Sequence, residues 1–249
     1  MSGHSKWSSI KHQKGVADAR RGKLFTKLTR EIIMAVREGG SNPETNYHLR
    51  LAIQKAKDNN MPSDNVERSI KRGEGTLDGA ALVEMVLEGY GPGGAAILVE
   101  ALSDNRNRTV QEVRSLFTRS GGNLGESGSV TWLFDSKGLI IIDTDETNAD
   151  DIALQAIDAG ADDVTPQDGY IEVYTAPEAM EKVRTALEES GISIYSAEVT
   201  KVPKTMVSLD ESTETQVLKL MDKLEELDDT RSVSSNVDFT DEVLEKYRA

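Results

Sequence analysis

The sequence predicts a multidomain α+β protein. It has an all-α three-helix N-terminal domain, an α/β second domain, and a ferredoxin-like (βαββαβ) third domain inserted in the second. Three observations predict this. Apolar residues recur at helical spacing up to about residue 73, and from about residue 80 they gather in strand-length runs. Residues 139–202 read in the order β-α-β-β-α-β, the order of a ferredoxin-like unit. Residues 80–134 and the tail from 205 are each too short for a core, so each needs the other. The expected domains are therefore 1–79, 80–134 joined with 205–249, and 135–204. A chain of 249 residues has room for two or three small cores.

The first helix is expected from residue 16 to about 38. Stepping 100° per residue, Lys23, Lys27 and Arg30 fall within about 80° of Arg20. Leu24, Phe25, Leu28, Ile32 and Val36 fill the adjoining arc, so a cationic stripe lies beside an apolar face. Gly39-Gly40 and Asn42-Pro43 end this helix, and a second runs over 46–59. The third begins after Pro62 with Ser63 as its expected N-cap, ends in Arg68, Lys71 and Arg72, and is expected to stop at Gly73.

Strands are expected at 83–87, 95–102 and 130–134, with a helix over 109–120. The ferredoxin-like unit reads as strand 139–142, helix 148–159, strands 163–165 and 170–174, helix 177–190 and strand 192–202. The tail reads as strand 205–209, helix 211–227 and strand 233–239.

The net charge of −14 is an average over two unlike parts. Residues 1–73 hold 15 Lys and Arg against 7 Asp and Glu, and the rest hold 14 against 36. Such asymmetry points to a basic binding module on an acidic body. No run approaches the roughly 20 apolar residues of a membrane helix, and no secretory signal is read at the N-terminus. A cytoplasmic protein with no membrane partner is expected, as a monomer.

The densest cationic segment is 3–30. It contains Lys6, Lys11, Lys14, Arg20, Arg21, Lys23, Lys27 and Arg30, with Asp18 the one acid. Cations neutralise phosphates and release counterions. Trp7, His4 and His12, interspersed among the first of them, offer flat faces for unpaired bases. The bland alternative is a solubilising tail and a solvated helix face. An acidic protein has little need to gather positive charge at one end for solubility. A second cluster, Asp104-Asn105-Arg106-Asn107-Arg108-Thr109, stands where a strand meets a helix. Arg106 and Arg108 there can hold a phosphate or a carboxylate, or the cluster is a capped turn with local salt bridges. The candidate nucleic-acid-binding residues are these cations and aromatics together with Arg68, Lys71 and Arg72.

Enzyme readings find little support. There is no cysteine, and the histidines are His4, His12 and His48 with no i, i+4 metal-ligand spacing. The segment 89–94 lacks the Gly-Lys-Ser/Thr ending of a nucleotide P-loop and lies between two strands. No catalytic residue, cofactor or metal is expected.

Gly3-His4-Ser5-Lys6-Trp7, followed by Ile10-Lys11-His12, resembles the opening signature of the YebC-like family, related to the mitochondrial translational activator of cytochrome c oxidase. The resemblance continues through Arg21-Gly22-Lys23-Leu24-Phe25-Thr26-Lys27, Asn60-Met61-Pro62 and Ile70-Lys71-Arg72-Gly73. It extends through Glu88-Gly89-Tyr90-Gly91-Pro92-Gly93-Gly94, the 104–109 cluster and Gly121-Gly122-Asn123-Leu124-Gly125. It implies the same three domains and a cytosolic gene-expression factor. In such proteins the partner is DNA, in transcriptional control, or ribosomal or transfer RNA, in translation of difficult stretches such as proline runs. The ribosome is then a candidate partner. Composition leaves DNA and RNA both open, because phosphate neutralisation looks alike on either.

Overall fold

The structure is a computed structural model, and it describes residues 18–75, 82–143, 149–167 and 169–248. Helices α1 (Asp18–Gly39), α2 (Tyr47–Asp58) and α3 (Ser63–Gly73) come first. α1 buries Leu28, Ile32, Ala35 and Val36 against Leu49, Ala52 and Ala56 of α2 and Val66 of α3. The i, i+4, i+7, i+8 spacing of the α1 residues is what puts them on one stripe. Asn46 ties the first loop together. Its side-chain oxygen accepts the Leu49 N–H at 3.0 Å, and its amide donates to the carbonyls of Ala35 and Gly40 at 2.6 and 2.7 Å.

The third helix starts and stops differently from expectation. Ser63 is its first residue and not its cap, and Pro62 precedes it with no side-chain cap bond. The Pro62 carbonyl itself takes the first helical bonds, from Asn65 at 3.0 Å and Val66 at 3.3 Å. The helix also runs through Gly73, and the left-handed residue is Gly75 at φ +76°. Gly73 serves packing instead. A Cβ there would lie 2.6 Å from Val36 Cβ and 3.1 Å from the Ile33 carbonyl. Gly→Ala in a helix ordinarily stabilises by about 1 kcal/mol. Gly73→Ala is expected to reverse that sign and destabilise by about 1–3 kcal/mol through overpacking of α3 on α1. A lowered urea midpoint with an unchanged slope is the expected reading.

β1 (Val83–Tyr90) and β2 (Ala96–Ser103) pair antiparallel from Val83↔Ser103 to Tyr90↔Ala96. α4 (Arg106–Arg119) then crosses the sheet, and β3 (Asn123–Leu124) returns to pair with Gly89 and Tyr90. The next elements are β4 (Phe134–Asp143), α5 (Ala149–Ala159), β5 (Asp163–Gln167), β6 (Tyr170–Thr175), α6 (Met180–Glu189) and β7 (Ser196–Pro203). Their sheet is antiparallel in the order β5-β6-β4-β7, the ferredoxin-like arrangement. Ile140, Ile142, Ile171 and Val173 face Ile152, Ala156, Val183 and Leu187 of the two helices in its core.

α7 (Glu211–Glu225), β8 (Thr230–Ser235) and α8 (Asp241–Arg248) follow. β8 joins β2, so the first sheet has the order β3-β1-β2-β8 and takes its last strand from beyond the second sheet. Val113 and Phe117 of α4 and Val217, Leu220, Met221 and Leu224 of α7 pack on Met85, Leu87, Ile97 and Val99.

Three local stretches differ from the sequence expectation. Where a strand was expected at 130–134, Thr131–Leu133 is a 3-10 turn and β4 begins at Phe134. The Glu88 carboxylate, itself 4% exposed, accepts the N–H groups of Gly128, Val130 and Thr131 at 2.7–2.8 Å and so removes them from any ladder. Burial pushes the Glu88 pKa up, but these donors outweigh it and hold the group below its ordinary value. The strand expected at 205–209 contracts to one parallel bridge, Val207↔Val237. α8 was not anticipated, since it adds only Val243, Leu244 and Tyr247 to the core cluster, too few for a periodic signal.

Candidate nucleic-acid interface

His4, Lys6, Trp7, Lys11, His12 and Lys14 lie outside the described residues, as do the side chains of Arg20 and Arg21 on α1. The rest of the cationic stripe is described, and it faces the acidic body. Lys23 Nζ donates to the Glu226 carbonyl at 3.2 Å, Lys27 Nζ to the Glu225 carbonyl, and Arg30 Nη1 to the Asp228 carbonyl at 2.6 Å. Glu225 ends α7 and Glu226 caps it. The last carbonyls of a helix have no partner within it and carry the negative end of its dipole. Lys23 and Lys27, at i and i+4 of α1, therefore cap α7 from outside, and Arg30 at i+7 holds the turn that follows it.

The contact centres on Asp229, which is 3% exposed. Its Oδ2 accepts from Arg108 Nη2 at 2.7 Å, the Thr109 hydroxyl at 2.6 Å and the Ser103 hydroxyl at 2.8 Å. Arg30 Nη1 stands 2.8 Å from Oδ1 without hydrogen-bond geometry to it, and it donates to the Asp228 carbonyl. The contact with Oδ1 is an ion pair. Burial alone would raise the Asp229 pKa, but the Arg108, Thr109 and Ser103 donors and the Arg30 charge outweigh it and hold the carboxyl below its ordinary value. The Arg108 guanidinium is correspondingly raised, first by its bond to Asp229 and then by its bond to Asp104 at 2.8 Å.

The 104–109 cluster thus builds a junction. The Asn105 side chain accepts the Arg108 N–H at 3.1 Å and caps α4, while Arg108 and Thr109 hold Asp229. Arg106 is exposed in the first turn of α4. Arg68, Lys71 and Arg72 are exposed along α3. Among the described candidates, the structure brings Lys23, Lys27, Arg30 and Arg108 to one seam, while Arg68, Lys71, Arg72 and Arg106 are exposed.

Two features escaped the sequence reading. One is the acidic run Glu225-Glu226-Leu227-Asp228-Asp229, legible as a charge block but with nothing to say what it faces. The other is α4, where Arg114 and Arg119 join Arg106 and Arg108 against one acid, Glu112, in an acidic domain. The helical unit also meets the ferredoxin-like one. Leu51 of α2 packs on its core, and the Tyr47 hydroxyl donates to the Pro177 carbonyl at 3.4 Å. Among the described residues no three His, Asp or Glu side chains are grouped to hold a metal ion. No described helix is long and apolar enough to cross a membrane.

A family model described as the TACO1/YebC protein N-terminal domain matches residues 5–76. A second, described as the TACO1/YebC second and third domain, matches residues 82–237. A probable transcriptional regulatory protein of Dehalococcoides mccartyi is 60% identical over 249 residues, covering 100% of this chain and 99% of that one. Another, from Halothermothrix orenii, is 53% identical, with 99% and 98% covered. The crystal structure of a conserved hypothetical protein from Aquifex aeolicus superposes with a TM-score of 0.82 at 49% identity, covering 88% of this chain and 91% of that one.

Proposed function

The chain belongs to the TACO1/YebC family, and from that premise we propose that it is a nucleic-acid-binding regulator of gene expression in the cytoplasm. It works as three units, 1–79, 80–134 with 205–249, and 135–204. The observation that carries this reading is the segregation of charge, 15 cations against 7 acids before residue 74 in a chain of net charge −14. Phosphate neutralisation is the chemistry such a unit serves. Exposed Arg68, Lys71 and Arg72, with the Lys, His and Trp side chains of residues 4–14, supply it. The relatives' names, probable transcriptional regulatory proteins, support a regulatory role in transcription.

One observation favours a second reading, an RNA-bound factor acting in translation at the ribosome. Lys23, Lys27 and Arg30 turn to the acidic body, which takes these three side chains of α1 away from a duplex groove. Trp7, His4 and His12 suit unpaired bases, which RNA offers in loops and bulges. The discriminating experiment is a fluorescence-anisotropy titration of the full chain against duplex DNA and single-stranded RNA of matched sequence, at one salt concentration. Tighter binding to the duplex is expected for the transcriptional role, and tighter binding to RNA for the translational one. Binding to neither at about 50 mM salt, where phosphate contacts are strong, contradicts both.

A further inference from the structure

We propose that the acidic run at 225–229 is an internal competitor for the cationic stripe of α1, so that this segment and a nucleic-acid backbone exclude one another there. The proposal rests on the nucleic-acid reading above and adds its regulation.

Four carboxylates stand within five residues, Glu225, Glu226, Asp228 and Asp229, and the carbonyls beside three of them accept Lys23, Lys27 and Arg30. The segment offers what a phosphate backbone offers, closely spaced oxygen acceptors in a field of negative charge. From Lys23 to Arg30 the helix rises about 10 Å, the length of about three phosphates along one strand of a duplex. A polyanion can therefore replace the segment cation for cation.

The exchange also leaves no buried charge alone. Asp229 keeps Arg108, Thr109 and Ser103, all from its own unit, on Oδ2. Arg30 contributes only the ion pair to Oδ1. Lys23 is exposed and Lys27 half-buried, so water can reach the carbonyls they release. The seam is thus built to separate. Its internal half keeps the three hydrogen bonds on Asp229 Oδ2, and its external half consists of three cations that phosphates accept equally well. Closure lowers the apparent affinity of the stripe by the fraction of chains in which it is open.

The test neutralises the competitor and keeps the Asp229 junction. In the full chain, Glu225→Gln, Glu226→Gln and Asp228→Asn together are expected to raise affinity for a mixed-sequence single-stranded oligonucleotide about tenfold, by raising the open fraction. Asp150→Asn, Asp151→Asn and Asp158→Asn on α5 remove the same charge elsewhere, and are expected to change affinity by less than about threefold, as screened distant charges do. Adding Lys23→Gln and Lys27→Gln to the neutralised chain is expected to cancel the gain. Because the chain holds no cysteine, Glu225→Cys provides a second readout. Its reaction with a thiol reagent is expected to accelerate when the oligonucleotide is added. Equal affinities for the parental and the 225–228 neutralised chains, or labelling that does not accelerate under saturating oligonucleotide, would overturn this proposal alone. Failure of the parental chain to bind any oligonucleotide would overturn the functional reading and this proposal together.

Discussion

Asp229→Ala is expected to lower the stability of the chain by about 3 kcal/mol, the cost of removing one partner from a buried charge cluster. The carboxyl collects three hydrogen bonds on one oxygen and an ion pair on the other. Its loss leaves the buried Ser103 and Thr109 hydroxyls without their common acceptor and two guanidinium groups facing each other across the seam. Asp229→Asn restores an acceptor but no charge, and its loss is expected to be smaller. The pH dependence has a definite sign. Because the folded-state pKa lies below the unfolded value, the Asp229 contribution is fully present above about pH 4. It is lost as the pH falls through the folded pKa. The measurement is the urea midpoint followed by Trp132 fluorescence in a Trp7→Phe background, at pH 7 and at successively lower pH. The Asp229→Ala chain should approach the parental one in stability at the acid end. An equal difference at every pH would mean that packing, not charge, is what the substitution removes.

Deleting residues 1–20 is expected to weaken oligonucleotide binding by about 100-fold or more at low salt. The deletion removes Lys6, Lys11, Lys14 and Arg20, together with Trp7, His4 and His12. Each lost phosphate contact takes about 0.7–0.9 from the slope of log K against log salt, and each lost base stack costs about 1–3 kcal/mol. The helical core should survive, because its apolar contacts among the described residues begin at Leu24 and Phe25.

Much of this architecture is legible in single residues. The arc Leu28, Ile32, Val36 announces α1 and its buried stripe, and the βαββαβ order announces the sheet order β5-β6-β4-β7. What hides is whatever depends on a partner far along the chain. The periodicity that places Lys23, Lys27 and Arg30 on one side cannot tell solvent, phosphate or a helix end apart. Their partners lie about two hundred positions away. Gly73 shows the same blindness at short range. Its position after Arg72 suggests a helix stop, and only the crossing of α3 on Val36 reveals why a side chain is missing there. The 104–109 cluster reads equally as an anion cradle or a capped turn until Asp229 arrives between Arg108 and Thr109.

Phosphate binding by the N-terminal segment is tested most directly by the salt dependence of oligonucleotide affinity, compared between the full chain and the chain lacking residues 1–20. A steep negative slope is expected for the full chain, reduced in magnitude by about 3 in the deleted one. A flat salt response in the full chain, or equal slopes in the two, would contradict it.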